Sequence, residues 1–372
     1  MFNGKNLPKY CKKKIMKIGI LTFHWATNYG AVLQAYASQT YLGLKGHDVK
    51  IINYKPAIYD DTLWHYLRYR KFWNHTQYKA IQRKERAIAQ FREHYIVSTE
   101  RIRRCSEIEN VCDDFDCIVS GSDQILNPSF LLHGEGFRRP SGAYFLDFPF
   151  KGKKVGYAVS FGCIDYPLEV SGLAKEKINN FDIISAREAS GIKIIESLGR
   201  NDAIIVPDPT LLLSVSYYVK LANDSKFRYS KEYIYCFFIR NIIDRKKSLN
   251  AISLGHDILW NNEDGLYCLQ DWLRKIQNAE FVITDSFHCV MMCLLFHKSF
   301  VVITELEGNV GMNDRMFTVL GEVGLEKLII YKERINEILS VQYYNINWSI
   351  VDDYINRSQK VASDFYDRVL DK

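Results

Sequence analysis

No stretch of about 18 apolar residues occurs in the sequence, so no segment reads as a membrane-spanning helix. Residues 1–16 are polar and lysine-rich, without the apolar core of about 7–15 residues that a secretory signal needs, and a cytoplasmic chain is expected. Cysteine is present but lacks pattern. The nine residues, Cys11, Cys105, Cys112, Cys117, Cys163, Cys236, Cys268, Cys289 and Cys293, include no CxxC pair. Cys112 and Cys117 stand alone at a spacing that fits no zinc knuckle, so neither structural zinc nor a disulfide framework is expected. The glycine spacing GxGxxG is also missing, which removes support for a dinucleotide site. No internal repeat or low-complexity tract is found, which excludes solenoids and linker-like proteins. Neither a metal nor a cofactor is expected.

What is present is the composition of a soluble globular protein: 47% apolar and 25% charged residues over 372 positions, enough for two domains of ordinary size. Aromatic residues reach 14%, suited to core packing and to stacking on sugar rings. The net charge of +6 is local. Residues 62–104 carry eleven Lys/Arg against three Glu, a balance of +8 that leaves −2 for the rest of the chain. A surface patch on an inserted segment is the reading, with an anionic membrane surface as a candidate partner; nucleic acid is not expected.

Short apolar runs alternate with helical spacings from Lys17 onward: strands at Ile18–Phe23, Val49–Tyr54, Phe115–Ser120, Lys154–Ser160, Ile183–Ser185 and Ala203–Val206. Such wholly apolar strands separated by helices imply a parallel sheet covered on both faces. Leu63–Tyr95 reads as two helices inserted into this alternation. Pro207-Asp-Pro-Thr210 interrupts the pattern, after which Tyr233–Ile239, Phe281–Thr284 and Ser299–Ile303 read as strands of a second sheet, with helices over Asp271–Asn278 and Val290–Phe296. The fold class expected is therefore α/β, with two Rossmann-like doubly wound domains facing across a cleft. An N-terminal domain spans 17–207 with the helical insertion at about 62–104, a C-terminal domain spans 208–349, and a C-terminal helix spans 350–372.

In such sheets ligands bind outside the carboxyl ends of the strands, and the unusual residues lie there. The loop from Thr22 to Gly30 opens a helix and offers Asn28, Tyr29 and Gly30 to a polar ligand, or is an ordinary capped turn. Ser122, Asp123 and Gln124 follow the third strand and suit sugar hydroxyls, or cap a turn. Arg187 follows a strand directly; its planar fork suits a carboxylate or phosphate, or pairs with Glu188 at the surface. His288, in Thr284-Asp-Ser-Phe-His288, can transfer a proton near neutrality, with Ser286 as an anion-binding neighbour. Arg240 and Arg315 are further candidates to clamp phosphate from the second half, or are solvated surface residues.

Taken together, Gly19-Ile-Leu-Thr-Phe-His24, Asn28-Tyr-Gly-Ala-Val-Leu-Gln-Ala-Tyr36, Val119-Ser-Gly-Ser-Asp-Gln-Ile-Leu-Asn-Pro128, Tyr157-Ala-Val-Ser-Phe-Gly162, Ser185-Ala-Arg-Glu-Ala-Ser-Gly191, Asp208-Pro-Thr-Leu-Leu212 and Ile283-Thr-Asp-Ser-Phe-His288 resemble the polysaccharide pyruvyl transferase family. Cys289 and Leu126 depart from that pattern, in which glycine and tryptophan are usual. The resemblance implies a GT-B-like architecture and transfer of a pyruvyl group from phosphoenolpyruvate to a sugar or lipid-linked oligosaccharide, forming a ketal for capsule, exopolysaccharide or cell-wall synthesis. It implies His288 as the catalytic histidine and Arg187 as a catalytic, donor-binding arginine. Ser286, Arg240 and Arg315 are expected around the donor, and Asn28, Tyr29, Gly30, Ser122, Asp123 and Gln124 around the acceptor. Two alternatives stand beside it: a GT-B glycosyltransferase using a nucleotide sugar, and a non-catalytic sugar-binding relative.

Overall fold

The computed structural model describes residues 14–60, 75–240, 249, 255–261, 263–305, 310–338 and 345–370. The first half holds β1 (Lys17–Leu21), α1 (Tyr29–Leu44), β2 (Asp48–Ile51), α2 (His75–Tyr95), β3 (Cys117–Ser120), α3 (Pro128–His133), β4 (Lys153–Val159), α4 (Leu168–Lys177), β5 (Ile183–Ala186), α5 (Ala189–Ser197) and β6 (Ile204–Ile205). After α6 (Val215–Asn223) come β7 (Tyr233–Phe237), β8 (Asp257–Trp260), α7 (Leu269–Asn278), β9 (Phe281–Thr284), α8 (Phe287–Leu295), β10 (Phe300–Thr304), α9 (Val310–Glu322), β11 (Ile329–Tyr331) and α10 (Trp348–Leu370).

Every pairing between these strands is parallel. The six-stranded sheet runs β2-β1-β3-β4-β5-β6 and the five-stranded sheet β11-β10-β9-β7-β8. Both repeat the doubly wound order in which the chain reverses its direction of winding between the first and third strands of the domain. The central strands β3, β9 and β10 are buried along their whole length, as helices on both faces require. The fold is two parallel-sheet α/β domains.

Several elements differ from the sequence reading. The strand expected to reach Tyr54 ends at Ile51; beyond it the chain makes isolated parallel bridges, Ile51 to Ser98 and Tyr54 to Ile102, with the returning insertion. Of the two helices expected over 63–95, α2 is described from His75, and residues 61–74 lie outside the described residues. The helix expected from Val290 begins three residues earlier because Ser286 caps it, its side chain accepting from the Cys289 N–H. The C-terminal helix begins two residues before its expected start, at Trp348. It crosses back to the first sheet, where Tyr366 stacks on Tyr157 at 4.7 Å and Lys45 pairs with Asp367 at 3.0 Å. One apolar cluster runs through both halves, from Ile18 and Val32 to Met291, Val302 and Phe365.

Helix α2 braces the loop after β1. Thr27 donates to Glu85 at 2.5 Å, Glu85 pairs with Arg92 at 2.6 Å, and Arg92 donates to the Trp25 carbonyl at 3.3 Å. In the same loop His24 is buried, its ring nitrogens 3.1 Å from the Thr22 carbonyl and 3.0 Å from Asn53 Oδ1. Burial lowers this imidazole from an ordinary 6.5 to about 4, outweighing the two hydrogen bonds that favour its charge. Between those values the unfolded chain binds the proton and the folded one does not, so stability falls as pH drops from 6.5 towards 4. The full effect is about 3 kcal/mol at about 1.4 kcal/mol per unit. Denaturant unfolding across pH 4.5–6.5 should show this slope in the wild type and a flatter one in His24→Gln; equal slopes would remove His24 as the cause.

Candidate active site

The two points at which the winding reverses face each other. The first domain contributes the loops after β1 and β3, and the second contributes those after β7 and β9. Between them lies a cavity of ≈ 120 Å³. Phe23, Asn28, Asp123 and Gln124 line it from one side, and Ile239, Ser286, Phe287, His288 and Arg315 from the other.

His288 sits in the first turn of α8 with 6% of its surface exposed. Its Nε2 is buried without a hydrogen-bond partner and points at Asp208 Oδ2, 3.6 Å away. Asp208 lies in the link between the sheets. Its Oδ1 caps a short turn by accepting from the Thr210 N–H at 3.0 Å and the Thr210 hydroxyl at 2.7 Å. Burial alone would raise this carboxyl; His288 and Arg187 outweigh it and hold Asp208 far below the carboxylate range. A carboxylate locked on both oxygens thus stands behind the imidazole. On the other edge Gly30 packs directly against the ring: a Cβ there would lie 2.8 Å from His288 Cβ and nearer still to Nδ1. Gly30→Ala must therefore turn the imidazole. The clash with the His288 Cβ, which no ring rotation relieves, should lower the unfolding midpoint, and displacement of the ring should lower kcat by up to about 100-fold if the imidazole is the group that reacts. A variant with wild-type kcat would show that the ring does not need this seat.

Arg187 is placed differently from its sequence reading. Its side chain is 1% exposed and faces three carboxylates: Asp208 at 2.8 Å, Asp123 at 3.2 Å and Glu188 at 3.3 Å. Burial opposes its charge, but these three raise its pKa above the usual arginine value. Glu188 itself is pushed up by burial despite Arg187. Asp123, half-buried, is held below its ordinary value by Arg187, His288 and Arg315, which outweigh the desolvation that raises it. Arg315 enters from α9 as the second cation, with Nη1 3.8 Å from Asp123 Oδ1. The two guanidinium groups lie 5.2 and 5.1 Å from the centre of the Phe287 ring. Burial and the neighbouring Arg187 lower Arg315 to about 10. Two guanidinium groups and three carboxylates, Asp123, Asp208 and Glu188, thus crowd one end of the cavity, and of the two cations it is Arg315 that lines it.

Residues 28–306, three quarters of the chain, match the family profile described as polysaccharide pyruvyl transferase. The chain belongs to the polysaccharide pyruvyl transferase family. No curated protein sequence matches it. Among solved structures, UDP-GlcNAc 2-epimerase from Methanocaldococcus jannaschii in complex with UDP-GlcNAc and UDP is 12% identical, with a TM-score of 0.52 over 94% of this chain and 99% of that one. A second structure of UDP-GlcNAc 2-epimerase from the same organism gives 11% identity and a TM-score of 0.51 over the same shares. At such identity the likeness is one of GT-B-type fold alone.

For a member of the pyruvyl transferase family, the expected site residues divide into two groups. His288, Asp123, Gln124, Asn28, Ser286 and Arg315 meet around the cavity, with Gly30 behind the imidazole. Asn28 also caps α1, accepting from the Gly30 and Ala31 N–H groups. The others do not reach it. Tyr29 is 2% exposed, stacks on Trp272 at 5.3 Å and donates to the Tyr267 carbonyl at 2.9 Å, so it fastens the two halves and presents nothing to an acceptor. Ser122 is fully buried and donates to the Ala158 carbonyl at 2.9 Å. Arg240 is ion-paired with Asp285 and Glu305 at 3.3 and 3.2 Å, outside the cavity lining. Arg187 borders a neighbouring cavity of ≈ 300 Å³, together with Asp208 and Phe287. Sequence reasoning missed Asp208 as a site residue and Phe287 as the ring between the two cations. The signal for Asp208 was an acid between two prolines, Pro207 and Pro209, directly after a strand.

Proposed function

We propose that this family member transfers a pyruvyl group from phosphoenolpyruvate to two hydroxyls of a sugar, forming a cyclic ketal and releasing phosphate. The observation that carries the reading is an imidazole backed by a buried carboxylate, with a guanidinium, Arg315, beside it on the wall of a small cavity between the two domains. A volume of ≈ 120 Å³ is below the ~300–1,000 Å³ of sites for drug-sized ligands, and suits a three-carbon phosphate better than a nucleotide sugar. Arg315 takes the donor's anionic end, with the Ser286 hydroxyl beside it. Arg187, expected as the donor contact, instead holds Asp123, Asp208 and Glu188 in place. Asn28, Asp123 and Gln124 border the opposite wall, where the acceptor hydroxyls enter.

Protonation of the donor's methylene carbon makes C2 electron-deficient. A sugar hydroxyl then attacks C2 and gives up its proton, the C2–O bond to phosphate breaks, and the second hydroxyl closes the ring with loss of its own proton. His288 carries proton transfer through Nε2, which makes no hydrogen bond and lies 3.6 Å from Asp208, the carboxylate that stabilises the imidazolium, while Nδ1 is packed against Gly30. The test is phosphate release from phosphoenolpyruvate with an acceptor that gains the mass of pyruvate less water. Turnover of a UDP-sugar with none of phosphoenolpyruvate would replace this reading with glycosyl transfer. Binding of sugars without turnover of either donor would point to a non-catalytic relative.

The acceptor reading extends to a lipid-linked sugar at an anionic membrane face, because Lys79, Arg83 and Arg86 form an exposed stripe on α2. Basic groups at such a surface contribute about 1 kcal/mol each. Among the described residues no helix is long and apolar enough to cross a membrane, so attachment by this stripe would be peripheral. Sedimentation with phosphatidylserine vesicles at low salt should carry the protein down and Lys79→Glu/Arg83→Glu should not; a wild type left in the supernatant refutes it.

A further inference from the structure

Helix α5 starts without a cap from its own domain: Glu188, the residue before it, makes no side-chain capping bond. The first N–H groups of a helix have no partner within it and need an acceptor from elsewhere. That acceptor comes from the opposite domain. The Ser190 N–H donates to Asp314 Oδ2 at 3.1 Å. Asp314 lies on α9, directly before Arg315, and on a helix adjacent side chains point about a quarter-turn apart. One side chain thus reaches α5 while the next turns to Phe287 and Asp123 in the cavity. A carboxylate suits a helix N-terminus both as hydrogen-bond acceptor and as countercharge.

We propose that Asp314 is a positioning residue: by capping α5 across the domain boundary it sets where Arg315 stands in the cavity, so that anion affinity depends on contact between the domains. Arg315 belongs to the second domain and Asp123 to the first, so their 3.8 Å approach exists only while the domains are held together. The Asp314–Ser190 bond is a direct tie between the two halves at that end of the cleft. The proposal rests on the donor-cavity reading above, but its first measurement does not need phosphoenolpyruvate.

Asp314→Ala removes the acceptor, while Asp314→Asn keeps an oxygen and discards the charge. Inorganic phosphate binding by titration calorimetry should weaken roughly five- to thirtyfold in Asp314→Ala, the range of one lost cap, and by less than about threefold in Asp314→Asn. Hydrogen exchange of the peptide containing Ser190 should quicken in the alanine variant alone. With phosphoenolpyruvate as substrate the loss should fall on KM, with kcat near wild type. Wild-type phosphate affinity in Asp314→Ala overturns the proposal, as does a fall in kcat and thermal midpoint with KM unmoved. Should the wild type bind phosphate but never turn over phosphoenolpyruvate, the tie stands and the donor assignment fails. A wild type that binds neither overturns both.

Discussion

His288→Ala should lower the rate of ketal formation by about 10²–10⁴-fold, the usual contribution of a positioned acid or base, while phosphoenolpyruvate affinity changes little. The split follows from the geometry. The imidazole lies near Asp208 with one nitrogen and against Gly30 with its other edge, whereas the cation proposed to meet the anion, Arg315, is on a different helix. Removing the ring deletes proton transfer and leaves the electrostatic seat. Asp208→Asn should act in the same direction through the loss of the charge behind Nε2 and should also lower stability, because the amide must turn its NH2 toward a donor, Arg187 or Thr210. If His288→Ala kept near wild-type kcat, or lost donor affinity in proportion to rate, the histidine would be a packing residue and the mechanism above would fall.

The fold was legible because burial on both faces leaves little room for pattern. Phe281–Thr284 is a strand bounded as its apolar run is bounded, and Phe300–Thr304 differs from its reading by one residue at each end. The strands that escaped notice are at the margin of their sheet. Asp257–Trp260 is partly exposed and mixes an acid with apolar residues, and Ile329–Tyr331 has three residues. Short edge strands carry too few buried positions to stand out from loops. That His288 lines the cavity was legible because it follows an apolar strand at the end where such sheets open on a cleft. Asp208 was not, because its partner is 80 positions away and only the tertiary fold brings it to within 3.6 Å. Tyr29 misled for a related reason: its loop position resembles that of Asn28, but one residue further along the chain turns it from the cavity into the packing between domains.

Arginine replacement should separate the two cations by kind of failure. Arg187→Met leaves Asp208, Asp123 and Glu188 buried around an apolar side chain. Breaking a buried pair from one side costs about 3–5 kcal/mol, a large part of the ~5–15 kcal/mol that holds a domain folded. The thermal midpoint and soluble yield should both fall. The sign with pH is a second check. Orphaned buried carboxylates have their pKa raised above the unfolded value, so the folded variant holds extra protons, and its deficit should shrink as pH falls from 7 towards 5. Arg315→Met should behave otherwise. That guanidinium is opposed by burial and by Arg187, with Asp123 at the longer distance of 3.8 Å, so its removal relieves repulsion as well as losing attraction. Its stability loss should be smaller than that of Arg187→Met, which strands three carboxylates at closer range. Its phosphoenolpyruvate affinity should drop roughly 10- to 100-fold, in line with ~1.5–3 kcal/mol for a hydrogen bond to a charged group. The opposite pattern, a stable Arg187→Met with weakened donor binding and an Arg315→Met that fails to fold, would return the donor contact to Arg187 and make Arg315 the structural cation.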